Sequence, residues 1–438
     1  MIDGQICICY NMTNSEYKSE LVIFLREHIM EYIHRHLESI LLTQEQLYKA
    51  ILVTGARQTG KSTLIKELFP ERKMLTFDDQ FLEDQANNDP NTFLALNSPP
   101  IFFDEVQRVP NLFRYLKMEC DKDDSRGKYI LSGSQPFRLM ELASDSLSGR
   151  AAIIELAPLS LREIMKDPFS EPFVPTEEYV KAREAKPVND IWYRIHQGGY
   201  PELQNKDMDW QLFFASYVKT YLERDVRELA AVQDLDAFRR FMIASAARTG
   251  EMLNYSNIAD EVGKDADTIK KWVSILEASG IIYILEPYKA SVLKRAIKTP
   301  KLYFRDTGLA CYLTRWLTPE TLANGAMSGA FFETYVISEI LKSYSNAGFD
   351  YRYYVSYYRG KDKLENKESE IDFIIEQNGI LYPIEIKHNS KVTAEMTSAF
   401  TVLDKIDDKK RGMGAVICTC PAPGKLRDNI WQLPVWYV

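Results

Sequence analysis

One short loop constrains the fold of this chain more than any other part of its sequence. The apolar run Ile51–Thr54 leads into Gly55-Ala56-Arg57-Gln58-Thr59-Gly60-Lys61-Ser62, and helical spacing follows from Ser62 to Leu68. This is the pattern G-x-x-x-x-G-K-[ST] between a strand and a helix. Its glycines let the backbone curl so that successive N–H groups face one anion, and the helix start adds partial positive charge. The sequence therefore predicts a loop that binds phosphate groups.

The side chains of this phosphate loop predict ATP and Mg²⁺ as its ligands. We expect Lys61 to bridge the β- and γ-phosphates and the Ser62 hydroxyl to bind the metal ion. The residues expected to bind the nucleotide are Gly55, Ala56, Arg57, Gln58, Thr59, Gly60, Lys61, Ser62 and Thr63. The alternative is a glycine-rich turn before an ordinary helix, and the apolar strand in front of the loop disfavours it.

A second apolar run predicts the groups that act on the phosphates. The run Ile101–Asp104 ends in two carboxylates, those of Asp104 and Glu105. Because open α/β sheets bind ligands at the carboxyl ends of their strands, we expect Asp104 to hold Mg²⁺ and Glu105 to polarise the attacking water. A third run ends in Ser134 and Gln135, and either side chain is a candidate for contacting the γ-phosphate or the water. The alternative at this place is a simple Ser-Gly turn.

A basic residue before the next β-like run raises the question of a second subunit. Ser148-Gly149-Arg150 precedes Ala151–Leu156. Two interpretations stay open. Gly149 either ends a helix and has no other role, or Arg150 is an arginine finger that reaches the γ-phosphate bound by a neighbouring subunit. The second interpretation predicts a homo-oligomer.

The order of β-like and helical runs predicts an α/β fold. Short β-like runs alternate with helical stretches from Ile51 to Leu156, which is typical of a parallel sheet covered on both faces. After Pro158 the β-like runs stop and helical spacing dominates, with a long helix predicted at Trp210–Leu229. Another helix is predicted before the sheet, at Leu21–Leu42.

The middle of the chain has winged-helix spacing. Tyr255–Gly263 has the pattern of a capped helix and a turn, Asp267–Ser279 that of a second helix, and a strand begins at Ile281. In a DNA reader of this kind the second helix enters the major groove. The predicted exposed charges of this helix are mixed, at Asp265, Asp267, Lys270 and Lys271, whereas Lys289, Lys294, Arg295, Lys298 and Lys301 follow it. DNA binding and a packing or partner-binding role both stay open.

Two carboxylates in the last third of the chain lie on the two strands of a predicted β-hairpin. Asn378-Gly379 is a strong turn signal, and Asp372 precedes it in one predicted strand while Glu385 follows it in the other. Glu385 and Lys387 are two residues apart, so they face the same side of a strand. With Glu333 on a preceding helix, these carboxylates predict a second site for one or two Mg²⁺ ions, beside which Lys387 orients water or steadies charge. An exposed, charged hairpin face is the alternative.

Together these patterns resemble the AAA-type P-loop ATPases. More narrowly, they resemble a prokaryotic family in which an AAA module precedes a C-terminal domain of unassigned function with a restriction-endonuclease-like core. The matching strings are Thr54–Thr63, Phe103–Gln107, Leu131–Gln135, Ser148–Arg150, Gly198–Pro201, Tyr221–Asp225 and Lys301–Leu309. The resemblance implies binding of ATP and Mg²⁺, and Asp372, Glu385 and Lys387 are similar to the D…E-x-K core of restriction-endonuclease-like nucleases.

With this resemblance, the predicted fold class is α/β with five parts in order. They are a tail over residues 1–20, an AAA-type parallel-sheet ATPase core over 21–160, a helical linker or lid over 161–235, a winged-helix domain over 236–300, and an α/β restriction-endonuclease-like domain over 301–438. The predicted function is Mg²⁺-dependent ATP hydrolysis on or near DNA. The alternative is an ATP-dependent switch or adaptor for a protein partner, with the C-terminal core as a catalytically silent scaffold.

The charge, hydropathy and cysteine pattern of the chain limit which kinds of partner it can bind. A net charge of −8 excludes a globally basic coat for nucleic acid, although a local basic patch stays open. No apolar run approaches the roughly 18 residues of a membrane span, and the first residues have no secretory pattern, so we expect a cytoplasmic protein that binds no membrane. The six cysteines form no C-x-x-C pair, which favours buried reduced thiols over zinc ligands.

Overall fold

A parallel sheet carries the phosphate loop. The protein is described by a computed structural model over residues 31–222, 234–288, 298–361 and 368–438. The chain divides into two units, Met1–His34 and Arg35–Val438, and everything below concerns the second. Among the described residues, no helix combines the length and the apolar character that crossing a membrane requires.

The first sheet has five strands, all parallel, in the order β2-β3-β4-β1-β5. The strands are β1 Ala50–Thr54, β2 Lys73–Thr76, β3 Ile101–Asp104, β4 Tyr129–Ser132 and β5 Ala151–Glu155. The helices around them are α1 Glu38–Leu47, α2 Lys61–Leu68, α3 Gln80–Asn88, α4 Pro90–Leu96, α5 Leu112–Asp121 and α6 Pro136–Ser146. The three central strands are buried along their whole length, as expected for strands covered on both faces. The order places β4 between β1 and β3, so three strand ends meet at one edge.

The predicted first helix is only partly right in position. The pattern at Leu21–Leu42 predicts one helix, whereas α1 covers Glu38–Leu47 and the described residues before Arg35 are not helical. Just before α1, the backbone N–H of Arg35 donates to the side-chain carboxylate of Glu38 (2.7 Å), the first residue of the helix. Residues 21–30 of the prediction lie outside the described residues.

A helical region follows the sheet. Its helices are α7 Leu161–Ile164, α8 Glu177–Ala182, α9 Ile191–Gln197, α10 Trp210–Tyr217, α11 Leu235–Ala246, α12 Tyr255–Val262 and α13 Ala266–Ala278. The described part of the helix predicted at Trp210–Leu229 is helical throughout, with α10 passing into a π-helical turn at Val218–Leu222. The rest of that prediction lies outside the described residues.

Three helices and a strand pair form the predicted winged-helix region. The helices α11, α12 and α13 are followed by β6 Ile282–Leu285, which pairs antiparallel with β7 Lys301–Phe304. The helix and strand positions agree closely with the pattern in the sequence. Asp267, Lys270 and Lys271 are exposed on α13, so its described surface carries charges of both signs. Lys289, Lys294 and Arg295 lie outside the described residues.

The C-terminal part is a mixed sheet with one long helix. Its helices are α14 Thr307–Leu313, α15 Pro319–Ala323 and α16 Ser328–Asn346. Its strands are β8 Val355–Lys361, β9 Glu368–Gln377, β10 Ile380–Ile386, β11 Lys410–Arg411, β12 Gly414–Cys418, β13 Gly424–Arg427 and β14 Ile430–Pro434. The sheet order is β13-β14-β12-β10-β9-β8, with β11 beside β10. The hairpin predicted around Asn378-Gly379 is the antiparallel pair β9–β10.

Helix α16 is buried along most of its length and contacts the segment that follows β5. Of its 19 residues only Gly329, Ala330 and Glu333 are not buried. The Glu339 carboxylate accepts a hydrogen bond from the N–H of Leu161 (2.8 Å), and the Lys342 ammonium donates to the carbonyl of Leu159 (3.0 Å). The four described cysteines, Cys120, Cys311, Cys418 and Cys420, are unbridged and buried.

Candidate functional site

The phosphate loop lies where the sequence predicts it, between β1 and α2. Gly55 has φ +140°, and a Cβ atom at this position would lie 2.3 Å from the carbonyl oxygen of Leu156. No other residue fits here without displacing the backbone that follows β5. The first position of the motif therefore requires a glycine, because the ends of two strands approach each other closely there.

The lysine of the loop points into the loop itself. The Lys61 ammonium donates to the carbonyl oxygens of Gly55 (3.0 Å) and Ala56 (2.8 Å), and Lys61 is only 6% exposed. The Thr59 hydroxyl also donates to the Ala56 carbonyl (3.0 Å). The positive charge of Lys61 is thus buried inside the loop, and its contact with the β- and γ-phosphates stays a prediction.

A hydroxyl and a carboxylate meet beside the loop. The Ser62 hydroxyl donates to Asp104 Oδ2 (2.7 Å), which joins the start of α2 to the end of β3. The Ser132 hydroxyl donates to the other oxygen of Asp104, which also accepts from the Glu105 N–H (3.1 Å). Hydroxyl and carboxylate oxygens are the ligands that Mg²⁺ prefers, so this pair fits a magnesium ion bound with a nucleotide.

Glu105 is held by two donors at one oxygen. Its backbone is in the left-handed region (φ +54°), and its Oε2 accepts from the Ser134 hydroxyl (2.9 Å) and from the Gln107 side-chain amide. A Cβ atom on Gly133 would lie 2.0 Å from Gln107 Oε1, so a glycine makes room for this amide. The predicted candidate Ser134 therefore contacts the predicted catalytic carboxylate.

Sequence reasoning missed two residues of this arrangement. Ser132 and Gln107 are both buried, and each hydrogen-bonds one of the two carboxylates. Ser132 is the last residue of β4, and the signal that marks it is a polar residue closing an apolar strand next to β3. Gln107 gives no such signal, because its distance from Glu105 is short only through the turn Val106–Arg108.

The structure does not bring Arg150 to the phosphate loop of its own chain. Its carbonyl accepts from the N–H of Ala50, the first residue of β1, whereas the loop follows the last residue of that strand. At about 3.3 Å per residue, the two ends of β1 are roughly 13 Å apart. The guanidinium is paired with the Asp121 carboxylate (2.6 and 2.9 Å). An arginine finger acting on a neighbouring subunit stays a prediction.

The predicted carboxylates of the C-terminal domain do come together. The Lys387 ammonium lies 2.6 Å from Glu385 Oε1 and 3.6 Å from Asp372 Oδ2, and the Ile386 N–H donates to the same Asp372 oxygen (2.8 Å). Burial and the charge of Asp372 raise the pKa of both Glu385 and Glu333 well above the usual value. Glu385 Oε2 is buried without a hydrogen-bond partner.

A second lysine, which sequence reasoning placed in a basic surface stretch, is part of this cluster. Lys301, at the start of β7, is buried, and its ammonium lies 3.3 Å from Glu333 and 2.7 Å from Glu370. The Tyr303 hydroxyl donates to the same Glu333 oxygen (2.5 Å). Within the described ranges no three His, Cys, Asp or Glu side chains are placed to hold one metal ion. The carboxylates thus have internal cations as partners, and their role as metal ligands stays a prediction.

Comparison with known proteins assigns the first of these sites to a family. Residues 47–165 match the model of an AAA domain, and residues 188–320 and 328–438 match two domains of unknown function, DUF8612 and DUF4143. Two uncharacterized proteins, from Mycobacterium bovis and Mycobacterium tuberculosis, are each 27% identical over 358 residues. That alignment covers 81% of this chain and 74% of each relative.

Solved structures of P-loop ATPases are more distant. The Walker-type ATPase of Pyrococcus abyssi is 15% identical with a TM-score of 0.39, over 66% of this chain and 97% of that one. AMPPCP-bound DnaA of Aquifex aeolicus is 15% identical with a TM-score of 0.27, over 55% of this chain and 85% of that one. The match of residues 47–165 contains the phosphate loop, Asp104 and Glu105, so this part of the chain is an AAA-type P-loop ATPase domain.

Proposed function

We propose that the protein binds ATP with Mg²⁺ and hydrolyses it at the phosphate loop. The contact of the Ser62 hydroxyl with Asp104 carries this proposal, because the two side chains that we expect to bind the metal ion touch each other and Ser62 follows Lys61 directly. Glu105, the residue after Asp104, lies at the same edge of the sheet. The match to an AAA domain agrees with this assignment.

Each group of this site has a separate part in the proposed reaction. The loop N–H groups and Lys61 bind the phosphate oxygens, and Ser62 and Asp104 would hold Mg²⁺, which when bound offsets the negative charge of the phosphates. Glu105 accepts a proton from the attacking water. Ser134 and Gln107 hold one oxygen of Glu105, so the other oxygen is the one available to the water. Phosphate release from ATP by the purified chain, lost when EDTA removes Mg²⁺, tests the proposal.

For the target of this ATPase we propose DNA as one candidate. The order of three helices and an antiparallel strand pair, α11 to β7, supports a winged-helix reader. If it reads DNA, ATP turnover should rise at least severalfold with single-stranded, duplex or branched DNA, measured as phosphate release at saturating ATP. Unchanged turnover with all three would count against this candidate.

The second candidate is a switch or adaptor for a protein partner, with the C-terminal core as a scaffold. Lys301 favours it, because its buried ammonium lies 3.3 Å from Glu333, one of the predicted metal ligands, and 2.7 Å from Glu370, so the cluster already contains a cation. The mixed charges exposed on α13 also favour it, since DNA binding requires an excess of basic residues.

Replacing Lys301 distinguishes the scaffold from a nuclease. In an Asp104→Asn background, which removes the metal ligand beside the phosphate loop, we expect no strong Mn²⁺ binding. Adding Lys301→Met should raise the affinity for Mn²⁺ at least about tenfold above that of the Asp104→Asn background. Removal of the buried ammonium leaves carboxylates that a cation stabilises. Calorimetry with Mn²⁺ alone is the measurement.

Two variants control this experiment. Lys298→Met removes a nearby exposed lysine and should change nothing. A further Asp372→Asn change should remove any site that Lys301→Met creates. Mn²⁺ binding by the parent that Asp372→Asn abolishes, together with DNA cleavage, would support the metal site predicted from the sequence and defeat the scaffold.

A further inference from the structure

One buried arginine connects the phosphate loop to the segment that follows the ATPase sheet. Arg35 is 5% exposed, and each nitrogen of its guanidinium has a different acceptor. Nη1 donates to the Thr59 carbonyl (3.0 Å), Nη2 to the Ala157 carbonyl (2.7 Å) and Nε to Glu163 Oε1 (3.0 Å). Thr59 belongs to the loop, whereas the other two acceptors lie beyond β5.

The far side of this guanidinium is rigidly held. Glu163 is almost fully buried, and its Oε1 also accepts from the N–H of His36 (3.0 Å). Its other oxygen accepts from the N–H (2.7 Å) and the hydroxyl (2.9 Å) of Ser160, which caps α7. Arg35 thus has a fixed carboxylate on one side and a loop carbonyl on the other. A buried ion pair in which each guanidinium nitrogen has an acceptor holds its geometry closely.

The contact with Thr59 fixes the direction of one loop N–H. In a trans peptide the carbonyl of one residue and the N–H of the next point in opposite directions. Because Arg35 binds the Thr59 carbonyl on one side of this peptide, the Gly60 N–H points to the side away from Arg35. Gly60 is the residue before Lys61, so its N–H is among those that face a phosphate in a loop of this kind.

We propose that Arg35 is a positioning residue that turns the Gly60 N–H toward the phosphates of the bound nucleotide. This inference rests on the proposed ATP binding at the loop. Arg35 does not touch the nucleotide; it acts through the Thr59–Gly60 peptide. Without it, the Thr59 carbonyl loses the hydrogen bond that sets its direction, and nucleotide binding has to supply the free energy that orients this peptide.

The test compares nucleotide affinity and turnover in Arg35→Met and in the wild type. We expect the affinity for ATP and for ADP, measured by calorimetry, to fall about tenfold, the effect of one hydrogen bond to a charged group. The turnover number at saturating ATP should stay within about threefold, because Glu105 and Asp104 are untouched. The loss should therefore be seen in KM and not in kcat.

Matched variants separate this role from general stability. Arg183→Met removes another buried arginine, one that pairs with Asp167 and not with the loop, so it should lower the melting temperature without changing affinity. Arg35→Lys keeps the charge but reaches fewer acceptors, so its affinity should be intermediate. It also serves as the test if Arg35→Met does not fold.

The outcomes distinguish this inference from the proposed function. Wild-type protein that binds no ATP would overturn the proposed function itself. Wild-type protein that binds ATP while Arg35→Met and Arg35→Lys bind it equally well would overturn only the role of Arg35. Equal losses of affinity in Arg35→Met and Arg183→Met would also overturn it, because a general loss of stability would then explain both.

Discussion

Lys61→Ala is expected to lower the affinity for ATP at least about a hundredfold. The ammonium lies inside the loop, bonded to the Gly55 and Ala56 carbonyls, and a phosphate bound there would accept the same donors. Hydrogen bonds to charged groups contribute about 1.5–3 kcal/mol each, so contacts with two phosphates amount to roughly 10²–10⁴-fold in affinity. Calorimetry with ATP and Mg²⁺ should then detect no binding.

The control for this variant lies on the same helix. Lys66→Ala removes an exposed lysine of α2 and should leave the affinity unchanged. Melting temperatures without nucleotide show whether Lys61→Ala is folded. Tight ATP binding by folded Lys61→Ala would mean that the buried ammonium does not contact the phosphates, and the assignment of the site would fail.

Glu105→Gln is expected to leave ATP binding intact and to slow hydrolysis by about 10²-fold or more. General bases contribute typically about 10²–10⁴-fold to a rate, and an amide cannot accept the proton of the water. Ser134 and Gln107 bond one oxygen of Glu105, and a glutamine offers an oxygen to the same donors, so the shape of the site should persist. Single-turnover phosphate release measures the slow step directly.

Glu67→Gln is the matched control, since it changes an exposed carboxyl group on α2 and should leave turnover unchanged. A Glu105→Gln variant that turns over at the wild-type rate would show that another group accepts the proton. A variant that loses affinity together with turnover would indicate that Glu105 supports the nucleotide instead of the water.

The ATPase core was predictable because its signals are local. The loop between β1 and α2 and the acidic end of β3 are each a few residues long, and alternation of strand and helix implies the parallel sheet that joins them. The hairpin β9–β10 was equally predictable, because Asn378-Gly379 sets its turn and register. The helices α12 and α13 were also predictable, because the spacing of their apolar residues is a local signal too.

The features that the sequence did not predict depend on contacts between residues far apart in the chain. Lys301 belongs by pattern to a basic stretch, and only the placement of β7 beside α16 makes it the partner of Glu333. Arg35 gives no local signal, since its acceptors follow it by 24 to 128 residues. The apolar spacing also does not reveal that α10 passes into a π-helical turn at Val218–Leu222.

Helix α16 contacts both the segment that follows β5 and the C-terminal carboxylate cluster. Its Glu339 and Lys342 bond the backbone where the ATPase sheet ends, and its Glu333 belongs to the C-terminal carboxylate cluster. Glu339 and Lys342 follow Glu333 by six and nine residues of continuous helix, which is about 9 and 13 Å. The helix is buried along most of its length and runs without a break between these residues. Any displacement of the Leu159–Leu161 backbone would therefore act on the same helix that carries Glu333.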